Sequence, residues 1–147
     1  MEKIITTVTI SKISHKYALA KFHIIDLALK GAKNPINEFV KKFKKSPKYK
    51  LIIDDIIKIR KLKSKSHSLI VKKLGMACSY PGTFNSSIHA ILNSTNYQRA
   101  ILKTIKAGGC NCSRANFIGA YFAALKGLNA IPKSWIKKTL PAKKILN

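Results

Sequence analysis

Apolar residues recur along most of this chain at intervals of three and four positions, which is the spacing of one buried helix face. In the first such segment Ala18, Phe22, Ile25 and Leu29 share a face. The same spacing and the turn residues between segments predict helices over these ranges: 15–30, 36–45, 50–62, 68–76, 83–92, 97–107, 113–126 and 132–139. The pattern therefore predicts an all-α fold.

Capping residues locate several ends of these helices. Ser14 is the predicted cap of the first helix, and Ser113 is the predicted cap of the seventh. Gly108 and Gly109 end the sixth, because glycine adopts the left-handed conformation at little cost. Residues 2–13 are ambiguous: T-T-V-T-I alternates like a short strand, and the alternative is a loop that leads into a helix.

The seventh predicted helix is crowded with small side chains. They are Ala115, Gly119, Ala120, Ala123 and Ala124. A face of small residues lets two helices approach closely, so we expect this helix to be central in the domain.

A polar loop precedes that helix and is the main candidate for a site. Cys110, Asn111 and Cys112 lie at the predicted helix start, where free amides and the helix dipole favour anions. A phosphate-bearing ligand would suit this position, and the same field lowers the pKa of both thiols. The alternative is that the two cysteines only fill a tight turn as small buried side chains.

The charge of the chain is extreme and one-sided. It has 29 Lys and Arg residues against 5 Asp and Glu residues, for a formal net charge of +24, and no acid follows Asp55. Such a field attracts nucleic acid and anionic surfaces. The densest basic block is residues 58–65, but no helix-turn-helix, zinc finger or aromatic RNA-binding motif accompanies it. Incidental, salt-sensitive association with nucleic acid is therefore expected rather than a dedicated site.

Two other candidate sites are weaker. Asp54 and Asp55 form the chain's pair of adjacent acids, and they are interpreted as part of a solvated face or a helix start. A softer metal would need thiols and imidazoles as ligands, and the candidates are Cys78, Cys110, Cys112, His67 and His89. The C-x-C spacing lacks the second matched pair of a structural zinc site, and His89 lies in an apolar run typical of a core or pocket histidine.

Several spaced motifs agree with a known family. A-G-G-x-N-C-S-R-A-x-F-I-G-A, followed by G-L-x-A-I-P-x-x-W-I-x-K-T, resembles the C-terminal half of the ADP-ribosylglycohydrolase family, and within it the branch of jellyfish J-type crystallins and selenoprotein J. The best-matched region is residues 73–139, and residues 1–147 would form part of one such all-α domain. The resemblance implies that the chain is a fragment, or that a partner half or a second copy completes its core.

The resemblance also implies a magnesium-dependent hydrolysis, but this chain lacks some of the ligands that the reaction requires. Family members bind two magnesium ions and hydrolyse bonds to ADP-ribose, with aspartates at the positions of Cys110 and Cys112. Only Ser113 remains as a weak ligand. Magnesium prefers hard oxygen ligands, so we expect no bound magnesium and no catalytic residue, and hence a chain that is inactive alone. The implied substrate-binding residues are Gly108, Gly109, Asn111 and Arg114.

These observations predict an ADP-ribosylglycohydrolase-like protein that is catalytically degenerate. The alternatives are a crystallin-like structural or ADP-ribose-binding protein, and a basic protein that associates with nucleic acid. No uninterrupted apolar run approaches the roughly 18 residues of a membrane span, and no signal peptide is recognisable, so no membrane partner is expected. Three cysteines do not form a disulfide framework, which favours a cytoplasmic location.

Overall fold

The computed structural model describes residues 11–146, apart from the side chains at positions 143 and 146. The α-helices, numbered in chain order, are α1 Lys12–Leu29, α2 Pro35–Phe43, α3 Lys50–Lys61, α4 His67–Leu74, α5 Gly82–Leu92, α6 Tyr97–Ala107, α7 Asn111–Lys126, α8 Lys133–Lys138 and α9 Ala142–Leu146. Short 3₁₀ helices lie at Pro47–Tyr49 and Gly127–Ala130. No strand occurs within the described range, so the predicted all-α fold is confirmed.

Two helices begin earlier than their predicted caps. Ser11, not Ser14, caps α1: the Ser11 hydroxyl accepts a hydrogen bond from the Ser14 amide at 3.3 Å. Of the ambiguous segment 2–13, residues up to position 10 lie outside the described range, and the helix begins at Lys12. Cys110 occupies the N-cap position of α7, which places Ser113 inside the first turn. Both serine caps were therefore predicted wrongly: Ser11 caps α1 one turn earlier, and α7 begins after Cys110 with no side-chain cap hydrogen bond.

Helix α5 is the most enclosed element of the fold. Each residue from position 82 to position 91 is buried. The helix packs against α3, α4, α6 and α7, while α1 packs against α2 and α7 and reaches α3 and α5 through Tyr17. None of the helices in the part of the chain that the structure describes is long and apolar enough to cross a bilayer.

The buried face of α7 differs from the prediction. Large side chains form it, and they are Phe117, Ile118, Tyr121 and Phe122. The small residues of the same helix are only half-buried, and Gly119 lies beside the ring of Tyr97 in α6. Helix α7 contacts α1, α5 and α6, and of its small residues Gly119 meets α6 while Ala115 packs against the core.

Helix α5 carries an unusual number of polar side chains into the core. Ser87 satisfies its hydroxyl within the helix by donating to the Thr83 carbonyl at 2.8 Å. Asn85 and His89 instead bond to side chains of α3 and α4. Because buried polar groups need partners, these bonds fix the rotation of α5 against its neighbours.

Candidate functional site

The loop between α6 and α7 is held against the segment that follows α4. The amide of Cys110 donates to the carbonyl of Met76 at 2.7 Å. Gly109 adopts φ +68°, and a Cβ atom there would lie only 2.5 Å from the Met76 carbonyl oxygen. The close approach therefore requires glycine at this position, both for its backbone conformation and for its missing side chain.

Two thiols meet where these segments touch. The Sγ atoms of Cys78 and Cys110 are 2.7 Å apart, and the Cys110 Sγ also lies 3.2 Å from the Ser113 hydroxyl. The hydrogen bond with the Cys78 thiol, followed by those with Ser113 and by the charge of Arg114, lowers the pKa of Cys110 to about 7. Cys112 is exposed two residues further along. Sequence reasoning named all three cysteines but gave no sign that Cys78 and Cys110 are neighbours.

Arg114 places a buried cation directly behind the loop. Its side chain is fully buried, and its Nη2 donates to the Gly108 carbonyl and to the Asn111 Oδ1, the latter at 3.0 Å. Its Nε and Nη1 atoms have no hydrogen-bond partner among the described residues. Burial lowers the pKa of Arg114, and the adjacent thiols of Cys110 and Cys78 act in the opposite direction. The loop therefore brings three of the predicted substrate-binding residues together, Gly108, Asn111 and Arg114, around a positive charge.

The paired acids of α3 do not share one environment. Asp54 is partly exposed and pairs with Lys50 at 2.8 Å, as expected for a solvated face. Asp55 is buried instead, and it accepts hydrogen bonds from the Tyr17 hydroxyl at 2.6 Å and the Asn85 amide at 3.1 Å. Asp55 lies one helical position from Asp54, and adjacent residues point to different sides of a helix. The prediction that both acids lie on a solvated face was wrong for Asp55.

The donor set of the loop does not fit magnesium. Thiols stand at positions 110 and 112, and Ser113 offers only a neutral hydroxyl. Magnesium requires hard oxygen ligands in octahedral geometry, and the buried guanidinium of Arg114 repels a divalent cation. Across residues 11–146, no three side chains among His, Cys, Asp and Glu cluster closely enough to hold a metal ion.

His67 and His89 form a separate buried pair at the other end of α5. Their Nδ1 atoms are 3.0 Å apart, and the His89 Nε2 lies 3.1 Å from the Leu62 carbonyl. A carbonyl only accepts, so His89 donates from Nε2, and its Nδ1 accepts from His67. The Thr104 hydroxyl then donates to the His67 Nε2 at 3.5 Å, which completes a chain of neutral groups.

Burial and nearby cations keep this pair neutral. Burial, followed by the charges of His89, Arg114 and Lys103, lowers the pKa of His67 to about 4. Burial likewise lowers the pKa of His89. The pair lines a cavity of about 340 Å³, and the charged residues of its lining are Lys63, Lys65, Lys103 and Lys106. His89 is fully buried and hydrogen-bonded, as its apolar surroundings in the sequence predicted.

The sequence profile of ADP-ribosylglycohydrolase matches residues 6–147. The chain belongs to the ADP-ribosylglycohydrolase family. The family is metal-dependent and acts on ADP-ribose substrates. The resemblance stated from the motifs is thus confirmed at the level of the family and of its all-α fold.

Two family relatives are crystallins of the jellyfish Tripedalia cystophora. Crystallin J1A is 39% identical over 74 residues, and Crystallin J1B is 33% identical over 76 residues. These matches cover 50% and 52% of this chain. The chain spans about a quarter of the length of these relatives, since the matches cover 23% and 24% of them. No solved structure matches the chain significantly.

Proposed function

We propose that this chain is a non-hydrolytic member of the ADP-ribosylglycohydrolase family that binds ADP-ribose through its phosphates, without a divalent cation. The observation that carries the proposal is the α6–α7 loop, where thiols replace the carboxylates that the resemblance implies and a buried guanidinium stands behind them. The loop lacks the negative carboxylates that would hold magnesium, and the guanidinium of Arg114 supplies a positive charge that would hold an anion.

Three features of the loop support a phosphate-binding role. The amides of Asn111 and Cys112 lie in the first turn of α7, and no side-chain cap satisfies them. The dipole of this 16-residue helix favours negative charge at the same point. The unpartnered Nε and Nη1 of Arg114 add donors that suit a phosphate oxygen.

Calorimetric titration with ADP-ribose, with and without magnesium, tests the proposal. We expect binding that magnesium does not strengthen, and weaker binding of adenosine, which lacks the phosphates. Arg114→Gln should weaken binding by roughly 10- to 100-fold, the loss of a charge-assisted hydrogen bond. Arg114→Lys keeps the positive charge but not the shape of the guanidinium. Its affinity for ADP-ribose therefore shows whether binding depends more on charge or on geometry.

The matched control is Arg99→Gln, which removes an exposed arginine from the first turn of α6. It should leave ADP-ribose affinity unchanged. Circular dichroism confirms that each variant is folded before its affinity is interpreted. If the wild-type chain does not bind ADP-ribose, the nucleotide-binding role is excluded and the crystallin-like structural role remains.

A second assay tests the absence of hydrolysis. The purified chain is incubated with an ADP-ribosylated protein and magnesium, and free ADP-ribose is measured over time. We expect no release above that of a heat-inactivated sample. Magnesium-dependent release would contradict the proposal, because the loop would then have to support metal-assisted chemistry with sulfur at both positions.

A further inference from the structure

Two cysteines from separate segments meet beside the start of α7. Cys78 follows α4 and Cys110 precedes α7, 32 positions later, yet their Sγ atoms are 2.7 Å apart. Both are free thiols; Cys78 is exposed and Cys110 is half-buried, so a small reagent can reach them. We propose that Cys78 and Cys110 are a modification site at which a small-molecule disulfide, such as glutathione disulfide, installs a reversible intramolecular disulfide.

The backbone holds the two sulfur atoms in place. The hydrogen bond from the Cys110 amide to the Met76 carbonyl pairs the two segments two residues away from Cys78. Gly109 packs directly on Met76, so the segments cannot separate without losing this contact. A disulfide bond is about 2.05 Å long, so its formation requires the sulfur atoms to move by less than about 1 Å.

The third thiol does not share this geometry. Cys112 is exposed and lies two residues beyond Cys110, inside the first turn of α7. Cys110 is the N-cap outside the helix, and its Sγ contacts Cys78; no hydrogen bond joins Cys112 to either thiol in the described part of the chain. Cys112 therefore serves as an internal control for the selectivity of the reaction.

The reaction consists of two thiol–disulfide exchanges. The Cys110 thiolate attacks one sulfur of glutathione disulfide, which forms a mixed disulfide and releases one glutathione thiolate. The Cys78 thiolate then attacks the Cys110 sulfur, forms the Cys78–Cys110 bond and releases the second glutathione. The protein gives up two electrons and two protons, and glutathione disulfide is reduced to two glutathione molecules.

The experiment treats the folded chain with a graded ratio of glutathione disulfide to glutathione. Free thiols are then alkylated, and the protein is digested and mapped by mass spectrometry without reduction. We expect one cross-linked peptide pair containing Cys78 and Cys110, with Cys112 alkylated, and full reversal by excess glutathione. The Tm of the oxidised chain should rise by about 10 °C, because the bond closes a loop in the unfolded chain.

Serine variants separate the three thiols. Cys112→Ser should retain both the cross-link and the rise in Tm, while Cys110→Ser and Cys78→Ser should lose both. In Cys78→Ser the mixed disulfide at Cys110 should accumulate, since the second exchange has no attacking thiol. A cross-link between Cys110 and Cys112, or alkylation of all three cysteines after oxidation, would overturn the inference. The outcome is independent of ADP-ribose binding, which the assay does not measure.

Discussion

Asp55 is a buried carboxylate whose hydrogen-bond donors belong to two other helices. Tyr17 comes from α1 and Asn85 from α5, so one side chain of α3 joins three elements. Burial, and then the hydrogen bond to Asp55 and its charge, raise the pKa of Tyr17. The Tyr17 hydroxyl consequently stays protonated and remains a donor to Asp55 at physiological pH.

Replacing Asp55 should destabilise the fold far more than replacing its neighbour. Asp55→Ala leaves two buried donors unpaired, and we expect a loss of about 2–4 kcal/mol in the free energy of unfolding. Asp54→Ala removes only a solvent-exposed pair with Lys50 and should cost less than about 0.5 kcal/mol. Urea unfolding followed by circular dichroism measures both. Equal losses of stability for the two variants would show that Asp55 does not hold α1, α3 and α5 together.

The His67–His89 pair makes the stability of the fold depend on pH. In the unfolded chain a histidine takes up a proton below about pH 6.5, whereas the folded state keeps His67 neutral down to about pH 4. The unfolded state therefore binds more protons across this window, and stability is lost as the pH falls through it. For His67 alone we expect a loss of about 2 kcal/mol between pH 7 and pH 5.

Urea unfolding at a series of pH values measures this effect. Among the residues that the structure describes, the charged neighbours of the pair are all basic, and they are Lys63, Lys65, Lys103, Lys106 and Arg114. The double variant His67→Gln/His89→Gln should have a flatter profile between pH 7 and pH 5. The control is Arg99→Gln, an exposed substitution outside the cavity, which should keep the wild-type slope. A steep profile that persists in the double variant would assign the effect to other groups.

At the scale of elements, the helices themselves follow from local spacing, but their ends and orientations depend on contacts. Periodicity located each of the predicted helices because three- and four-residue spacing is a property of neighbouring positions. It could not choose between Ser11 and Ser14 as the cap of α1, since both suit that role. It also could not identify the buried face of α7, where small and large residues both form a stripe.

Gly109 shows how one glycine joins two elements. Gly109→Ala should destabilise the fold by more than the roughly 1–2 kcal/mol cost of the left-handed conformation, because its Cβ would meet the Met76 carbonyl at 2.5 Å. Gly127→Ala is the matched control: its φ is +66°, with no atom within 4 Å of the added Cβ. Thermal unfolding of both variants separates steric overlap from backbone strain. If both lose the same stability, the contact between Gly109 and Met76 is not tight in solution.

At the scale of the whole molecule, charge is the dominant property. The basic residues behind the net charge of +24 are spread along the whole sequence rather than confined to one segment. A field of this kind attracts polyanions without needing a shaped site. The alternative of a nucleic-acid-associating protein therefore leads to a specific expectation about salt.

Binding to duplex DNA should be independent of sequence and should weaken steeply with salt. For six or more phosphate contacts, affinity should fall on the order of 10³-fold between 50 and 200 mM salt, as measured by fluorescence anisotropy. Replacing Lys61, Lys63 and Lys65 with Gln should reduce the salt slope as much as replacing Lys42, Lys44 and Lys45. A much larger effect of the first set would indicate a dedicated site at residues 58–65, and affinity unchanged in high salt would exclude electrostatic association.

The amino-acid sequence alone was enough to predict the all-α fold and the family, and it shows that no acid follows Asp55. Each of these is a property of neighbouring residues or of composition. Only the tertiary structure buries Asp55 beside Tyr17, which lies 38 positions away in the sequence. It also brings Cys78 to Cys110 across 32 positions and His67 to His89 across 22 positions. Helical periodicity tells which side of a helix a residue occupies, but not which helix will cover that side. Packing makes that choice, and with it sets the chemistry of the thiols, the carboxylate and the imidazoles.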